Sequence, residues 1–207
     1  KDFLRKEFSF APDDYLVGIV AQLEDHKGHK YLIEAAGILK GLAPKIKIII
    51  VGEGSLRLDL DRRARDLHVN DICYFLGFRN DIPQILASLD LFVLSSHMEG
   101  LGSSIMDAMA SRLPVVATEA GGIPEIVIQR ETGLLVPPRD PQALAQAIMK
   151  LYLDRGLAGK LAQGGFDLVH EKFSAEAMAQ KIVDVYERIA FRKGVRLDGQ
   201  SQNPEAL

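Results

Sequence analysis

Cysteine occurs once in these 207 residues, at Cys73. That excludes a disulfide framework and a cysteine metal site, and makes a reducing, cytoplasmic compartment the expectation. Basic residues are not in excess: 25 Lys and Arg stand against 28 Asp and Glu, a formal net charge of −3. With no basic stripe carrying interleaved aromatics, nucleic acid is not an expected partner. No apolar run approaches the ~20 residues that a spanning helix needs, and no signal peptide is visible. Internal repeats and low-complexity segments are lacking. His26, His29, His68, His97 and His170 show no ligand spacing backed by acids or cysteines, so no metal is expected. The first residue is Lys1 rather than Met, so the chain is expected to be a fragment of a longer protein.

What is present is a large apolar fraction, 47%, enough for one sizeable core. Short runs rich in Val and Ile alternate with longer segments of helical period. Strands are expected at roughly 16–22, 46–51, 72–76, 91–95, 114–118 and 133–136. Helices are expected at about 29–41, 55–68, 82–88, 103–111 and 122–128, then 141–154, 157–172 and 175–192. Strands that are continuously apolar imply a sheet covered on both faces. The expected fold class is α/β: a Rossmann-like three-layer α/β/α with a parallel six-stranded sheet in the order 3-2-1-4-5-6. Residues 1–14 are expected to form a linker segment, 15–192 the domain, and 193–207 a polar tail.

The exits from the strands carry the unusual residues. The first leads through Gln22 to Lys27 and Gly28, the second into GEG at 52–54, and the third into GFRN at 77–80. The fourth opens SSHMEGLG at 95–102 and the fifth TEAGG at 118–122. Ligands of open parallel sheets bind at the carboxyl ends of strands where the order reverses. That order places Lys27 and the Glu99 loop at one crevice. Gly100 and Gly102 permit close approach by a ligand. Ser103 and Ser104 start a helix whose free N–H groups favour an anion. Asp107 lies about one turn further along. A cation facing a helix N-terminus suggests phosphate, and carboxylates beside phosphate suit sugar hydroxyls, which together describe a sugar nucleotide.

These residues resemble the C-terminal, donor-binding half of the retaining GT-B glycosyltransferases of family four (group 1). The matching segments are LVGIVAQLEDHKGHKYLIEAA, IIIVGEGSLR, FLGFRNDIP, DLFVLSSHMEGLGSSIMDAMASRLPVVATEAGGIPEIV and TGLLVPPRDPQALAQAI, together spanning about residues 15–190. The resemblance implies that Glu99 contacts the transferred sugar and Asp107 the ribose. It implies a diphosphate cradle around Gly100, Leu101, Gly102, Ser103 and Ser104, and Lys27 as stabiliser of the leaving diphosphate. Phe78 and Arg79 fall where the family's backbone meets the base, and Gln22, Gly52 and Gly54 complete the implied donor site. It also implies no cofactor and no metal within this domain. The acceptor (a glycan, lipid or small molecule) is implied to lie on an N-terminal domain outside this chain. That domain would also carry any peripheral association with the cytoplasmic face of a membrane. The fragment alone is expected to bind donor and transfer poorly, with helix 175–192 packing back on the other half. The family has Arg where this chain has Gln22, and Glu where it has Asp107.

Plainer readings stand beside these. Lys27 alone fits a surface lysine, Ser103 a helix cap, and GEG at 52–54 a tight turn, since Arg57 occupies the third glycine position of a dinucleotide fingerprint. Asp59 and Asp61 form a DxD but fall among Arg62 and Arg63 in a helical pattern, as a salt-bridged face would. Gln22 also admits a degenerate module that binds a nucleotide sugar without catalysis. A sugar-nucleotide epimerase of the same fold is the remaining alternative.

Overall fold

The computed structural model describes residues 2–193, in two compact units, Lys1–Val169 and His170–Leu207. The first begins with α1 (Asp2–Phe8), β1 (Tyr15–Val20), a 3₁₀ turn (Asp25–Lys27), α2 (His29–Leu42), β2 (Ile46–Val51) and α3 (Arg57–Asp66). It continues with β3 (Cys73–Gly77), α4 (Ile82–Ser88), β4 (Leu91–Leu94), α5 (Ser103–Ala110) and β5 (Val115–Thr118). A second 3₁₀ turn (Ile123–Glu125), β6 (Leu134–Val136), α6 (Pro141–Leu153) and most of α7 (Arg155–Lys172) complete it. The second unit holds the end of α7 and α8 (Ala175–Arg192).

The six strands form one parallel sheet in the order β3-β2-β1-β4-β5-β6, as expected from the sequence. Its central strands are buried on both faces: Ile48, Ile49 and Ile50 of β2 and all of Leu91–Leu94 are at most 1% exposed. Such strands have no solvent face to make polar, which is why their sequences run apolar without alternation. On the outer layers α2 buries Leu32, Ile33, Ala36 and Leu39, the spacing of a single helix face, and packs with α6. Asp140 starts α6 by accepting the Ala143 N–H at 2.9 Å, with Pro141 in the first turn.

Three expectations need correction. Residues 1–14 are not a free linker: α1 buries Leu4 completely, and Arg5 binds Asp90 at 2.8 Å and the Ser88 carbonyl at 3.0 Å. Seven residues are too few to show a helical period in sequence. The helix expected at 122–128 is only the 3₁₀ turn Ile123–Glu125. Thr132 ends it by donating to the Ile126 carbonyl and accepting the Ile128 N–H, so the chain turns into β6 instead of continuing. The unit boundary at His170 also divides the expected 15–192 domain. Of the expected polar tail, 194–207 lie outside the described residues. Within the second unit, α8 carries Met178, Ile182, Val185, Tyr186 and Ile189 at helix-face spacing, all exposed.

Candidate functional site

β1 and β4 are neighbours at the centre of the sheet, and the strand order reverses between them. Their carboxyl ends therefore open on one crevice. After β1 the chain reaches Lys27 at the end of the first 3₁₀ turn, and Gly28 turns it into α2 with φ +68°. A β-carbon on Gly28 would stand 2.1 Å from the Ser95 carbonyl oxygen, so only glycine fits there. Ser95 Oγ donates to the Gly28 carbonyl at 3.1 Å, and the His97 N–H donates to the His26 carbonyl at 2.9 Å. The two strand exits are thus fastened to each other.

That fastening brings Lys27 Nζ to 2.7 Å from Glu99 Oε2. Ser96 Oγ donates to the same carboxylate oxygen at 3.1 Å. The Lys27 and Glu99 side chains are 19% and 10% exposed, so the pair is sheltered but reachable. Burial alone would push the Glu99 carboxyl up, but Lys27, the Ser96 hydroxyl and the Gly100 N–H together hold it below the ordinary carboxylate range. The β5 exit supports the same loop from the other side. Gly122 N–H donates to the Glu99 and Gly100 carbonyls at 3.2 and 3.1 Å, and a β-carbon on Gly121 would meet the Glu99 oxygen at 1.8 Å.

Beyond Glu99, Gly102 caps α5 in the left-handed conformation, φ +71°, with no side chain to bond the first turn. Ser103 is therefore the first helical residue and not the cap. The leading N–H groups of α5 and the hydroxyls of Ser103 and Ser104 form the anion-favouring end of this helix. Gly100 and Leu101 are exposed in the preceding turn. Asp107, exposed in α5, has its carboxyl pushed up by partial desolvation.

The remaining expected residues divide. Gln22 is exposed in the β1 exit. Gly52 and Gly54 lie close against that exit: β-carbons there would stand 2.0 Å from the Ala21 oxygen and 2.5 Å from the Leu23 oxygen. Their evident work is to let the β1 and β2 exits touch. Phe78 is 73% exposed, open to a planar ligand. The Arg79 guanidinium instead bridges two carboxylates, Glu7 at 2.6 Å and Asp81 at 2.6 Å. Its side chain clamps α1 to the β3 exit. Asp59 and Asp61 pair with Arg62, Arg57 and Arg65 along α3, the salt-bridged face expected.

Sequence reasoning missed Ser95, Ser96 and Gly121 as the supports of Lys27 and Glu99. Two small hydroxyl residues directly after an apolar strand were the available signal. Among the described residues, no group of three or more His, Cys, Asp or Glu is placed to hold a metal ion. No described helix is long and apolar enough to cross a membrane. Lys27, the N-terminus of α5 and the oriented Glu99 carboxylate are together a set suited to an anion joined to a polyhydroxyl group.

Comparison with known proteins is consistent with that chemistry. Residues 1–167 match the family described as Glycosyl transferases group 1. The lipopolysaccharide core biosynthesis glycosyltransferase LpsE of Rhizobium meliloti (strain 1021) is 32% identical over 182 residues, 88% of this chain and 51% of that protein. Among solved structures, the C-terminal domain of a glycosyl transferase group 1 family protein (LpcC) from Francisella tularensis is 32% identical. It has a TM-score of 0.76 and covers 84% of this chain and 94% of that one. Anabaena Alr3699/HepE in complex with UDP-glucose is 29% identical, with a TM-score of 0.83 over 90% of this chain and 52% of that one. The chain spans about half the length of the curated relatives it matches.

Proposed function

The chain belongs to the group 1 glycosyl transferases, and from that premise we propose that it is the donor-binding part of a retaining glycosyltransferase. It takes a nucleotide-diphosphate sugar and passes the sugar to an acceptor hydroxyl. The observation that carries this reading is the meeting of Lys27 and Glu99 in front of α5 at the sheet's switch point. The relative that binds UDP-glucose makes UDP the first nucleotide to test.

The chemistry asked of these residues is electrostatic. As the bond from the sugar to the β-phosphate loosens, negative charge grows on the leaving diphosphate. Lys27 and the N–H groups at the start of α5 stabilise that charge where it develops. Glu99 orients the sugar through its hydroxyls, and Asp107 reaches the ribose. The acceptor hydroxyl attacks from the face the diphosphate leaves, with the diphosphate taking its proton. No protein nucleophile is required. The acceptor, a glycan, lipid or small molecule, is held by the other half of the longer protein. Glycan, glycolipid or polysaccharide synthesis at the cytoplasmic face of a membrane is the setting that suits this reaction.

Calorimetry of the 207-residue chain with UDP, GDP and ADP, then turnover by the longer protein, tests the reading. Binding of one nucleotide with acceptor-dependent transfer is the expected outcome. Conversion of the donor into an isomeric nucleotide sugar with no acceptor present would instead identify an epimerase. A second reading rests on Gln22: where the resemblance implies an arginine, it brings no charge. Nucleotide binding without any transfer by the longer protein would establish a non-catalytic module.

A further inference from the structure

His97 has no part in the chemistry above, yet it stands between the exits that carry Lys27 and Glu99. Its N–H donates to the His26 carbonyl at 2.9 Å, and the Met98 N–H reaches the same oxygen at 3.4 Å. The imidazole is 7% exposed and edge-on to the Tyr31 ring, centroids 6.2 Å apart. Nε2 faces Asp25 Oδ2 at 3.4 Å, while Nδ1 is buried with no partner. The tautomer that fits carries its proton on Nε2, toward the carboxylate, and leaves Nδ1 bare. A charged ring would bury an Nδ1–H with no acceptor, a costly arrangement. Its surroundings agree: burial first, then Arg139, Lys30 and His26, disfavour the charge, and Asp25 alone favours it.

The element that this side chain touches is a single 3₁₀ turn, Asp25–Lys27, with no side-chain bond at its N-cap. The His26 and Lys27 carbonyls tie its backbone to the β4 exit, while the Asp25 carboxylate lies between Lys30 Nζ, at 2.7 Å, and His97 Nε2, at 3.4 Å. A tilt of so short a turn is magnified along the four methylenes of Lys27 before it reaches Nζ.

We infer that His97 is a positioning residue: with a neutral Nε2–H turned toward Asp25, it joins Lys30 and the backbone bonds in holding the turn that aims Lys27 at the leaving diphosphate. The inference rests on Lys27 being the diphosphate contact proposed above, and it assigns His97 no contact with donor or acceptor. Filling space is the competing role, and the two differ in which substitution is tolerated. Glutamine places an amide N–H near the position of Nε2, whereas leucine keeps bulk and loses the donor.

The test is UDP affinity of the 207-residue chain by calorimetry, with melting temperature recorded for each variant. His97→Leu is expected to lose about tenfold in affinity and His97→Gln to stay within about threefold, the range a hydrogen bond spans. Wild-type affinity in a folded His97→Leu, or equal loss in both variants, would overturn the inference. The imidazole nitrogens of the wild type, read by ¹⁵N NMR, give an answer that needs no variant. A neutral Nε2–H form at pH 7 is expected, and a doubly protonated ring there would overturn it. Failure of the underlying reading looks different. Wild type that binds none of UDP, GDP or ADP, or Lys27→Ala that binds UDP undiminished, would remove the diphosphate role itself.

Discussion

Lys27 and Glu99, 72 residues apart in sequence, share a 2.7 Å ion pair in which the lysine meets the oxygen that Ser96 also bonds. The donor site therefore starts with its cation already engaged. Diphosphate must draw Lys27 away from Glu99, or share it.

That competition sets opposite signs for two substitutions. Lys27→Ala removes a charge-assisted contact and should weaken UDP binding by about 1.5–3 kcal/mol. Glu99→Gln frees the lysine from a half-sheltered pair and should tighten UDP binding by about 1 kcal/mol or less. In the longer protein the same Glu99→Gln should lower turnover, because the sugar loses its orienting carboxylate. Calorimetry on this chain, and initial rates on the chain joined to an acceptor-binding domain, check both. Equal losses of UDP affinity in the two variants would contradict the assignment.

Gln22→Arg should act in the direction of Lys27. Gln22 is exposed on the β1 exit, so a longer side chain meets no packing obstacle. An added guanidinium near the diphosphate should tighten UDP binding by about 1.5–3 kcal/mol and make it more sensitive to salt. Affinity measured at two ionic strengths decides it; unchanged affinity and unchanged salt dependence would place Gln22 outside the phosphate's reach.

Acid should destabilise the fold through His29. This residue is 2% exposed and neither ring nitrogen has a partner. Burial first, then the charges of Lys27 and His26, lower its pKa from 6.5 to about 4. Between these values the unfolded chain holds a proton here that the folded chain does not. Stability should therefore be complete above pH 6.5 and fall as pH drops toward 4, by about 3 kcal/mol from this group. Melting curves across that window should show a slope that His29→Leu reduces. An undiminished slope in the variant would assign the acid loss to other groups.

Two glycine substitutions should separate the site from ordinary helix. Gly37 lies in α2 with nothing within 4 Å of a built β-carbon, so Gly37→Ala should stabilise by about 0.5–1 kcal/mol. Gly28→Ala forces a left-handed residue against the Ser95 carbonyl and should cost about 1–3 kcal/mol or more. It should also weaken UDP binding by displacing Lys27. Melting temperatures of opposite sign are the expected result, and a neutral Gly28→Ala would contradict the fastening of the two strand exits.

The sheet was legible because its central strands are buried on both faces and so leave uninterrupted apolar runs, as in IIIV at 48–51 and LFVL at 91–94. That Lys27 and the Glu99 loop share one crevice was legible from the strand exits and the strand order. That they would pair was not legible, since it depends on the register of β1 against β4 and on the bond from the Ser95 hydroxyl to the Gly28 carbonyl. Arg79 shows the same limit from the other side. Its partner Glu7 lies in a seven-residue helix too short to announce itself, so the clamp between α1 and the β3 exit left no mark in the sequence. Ser96 supports Glu99 through a contact in three dimensions, and its one mark in the sequence is its place in a pair of small hydroxyl residues directly after an apolar strand.

The close glycine contacts have a practical consequence for altering what this domain accepts. Gly28 rests on the β4 exit, Gly52 and Gly54 on the β1 exit, and Gly121 and Gly122 on the turn after Glu99. The rim is therefore one interlocked piece, not a set of independent loops on a rigid sheet. Transplanting a single loop from a relative would bring side chains or altered backbone into spaces where another loop already sits. Donor preference should change more readily by replacing side chains that project from the rim, such as Gln22, Phe78 or Leu101, or by exchanging the whole rim at once.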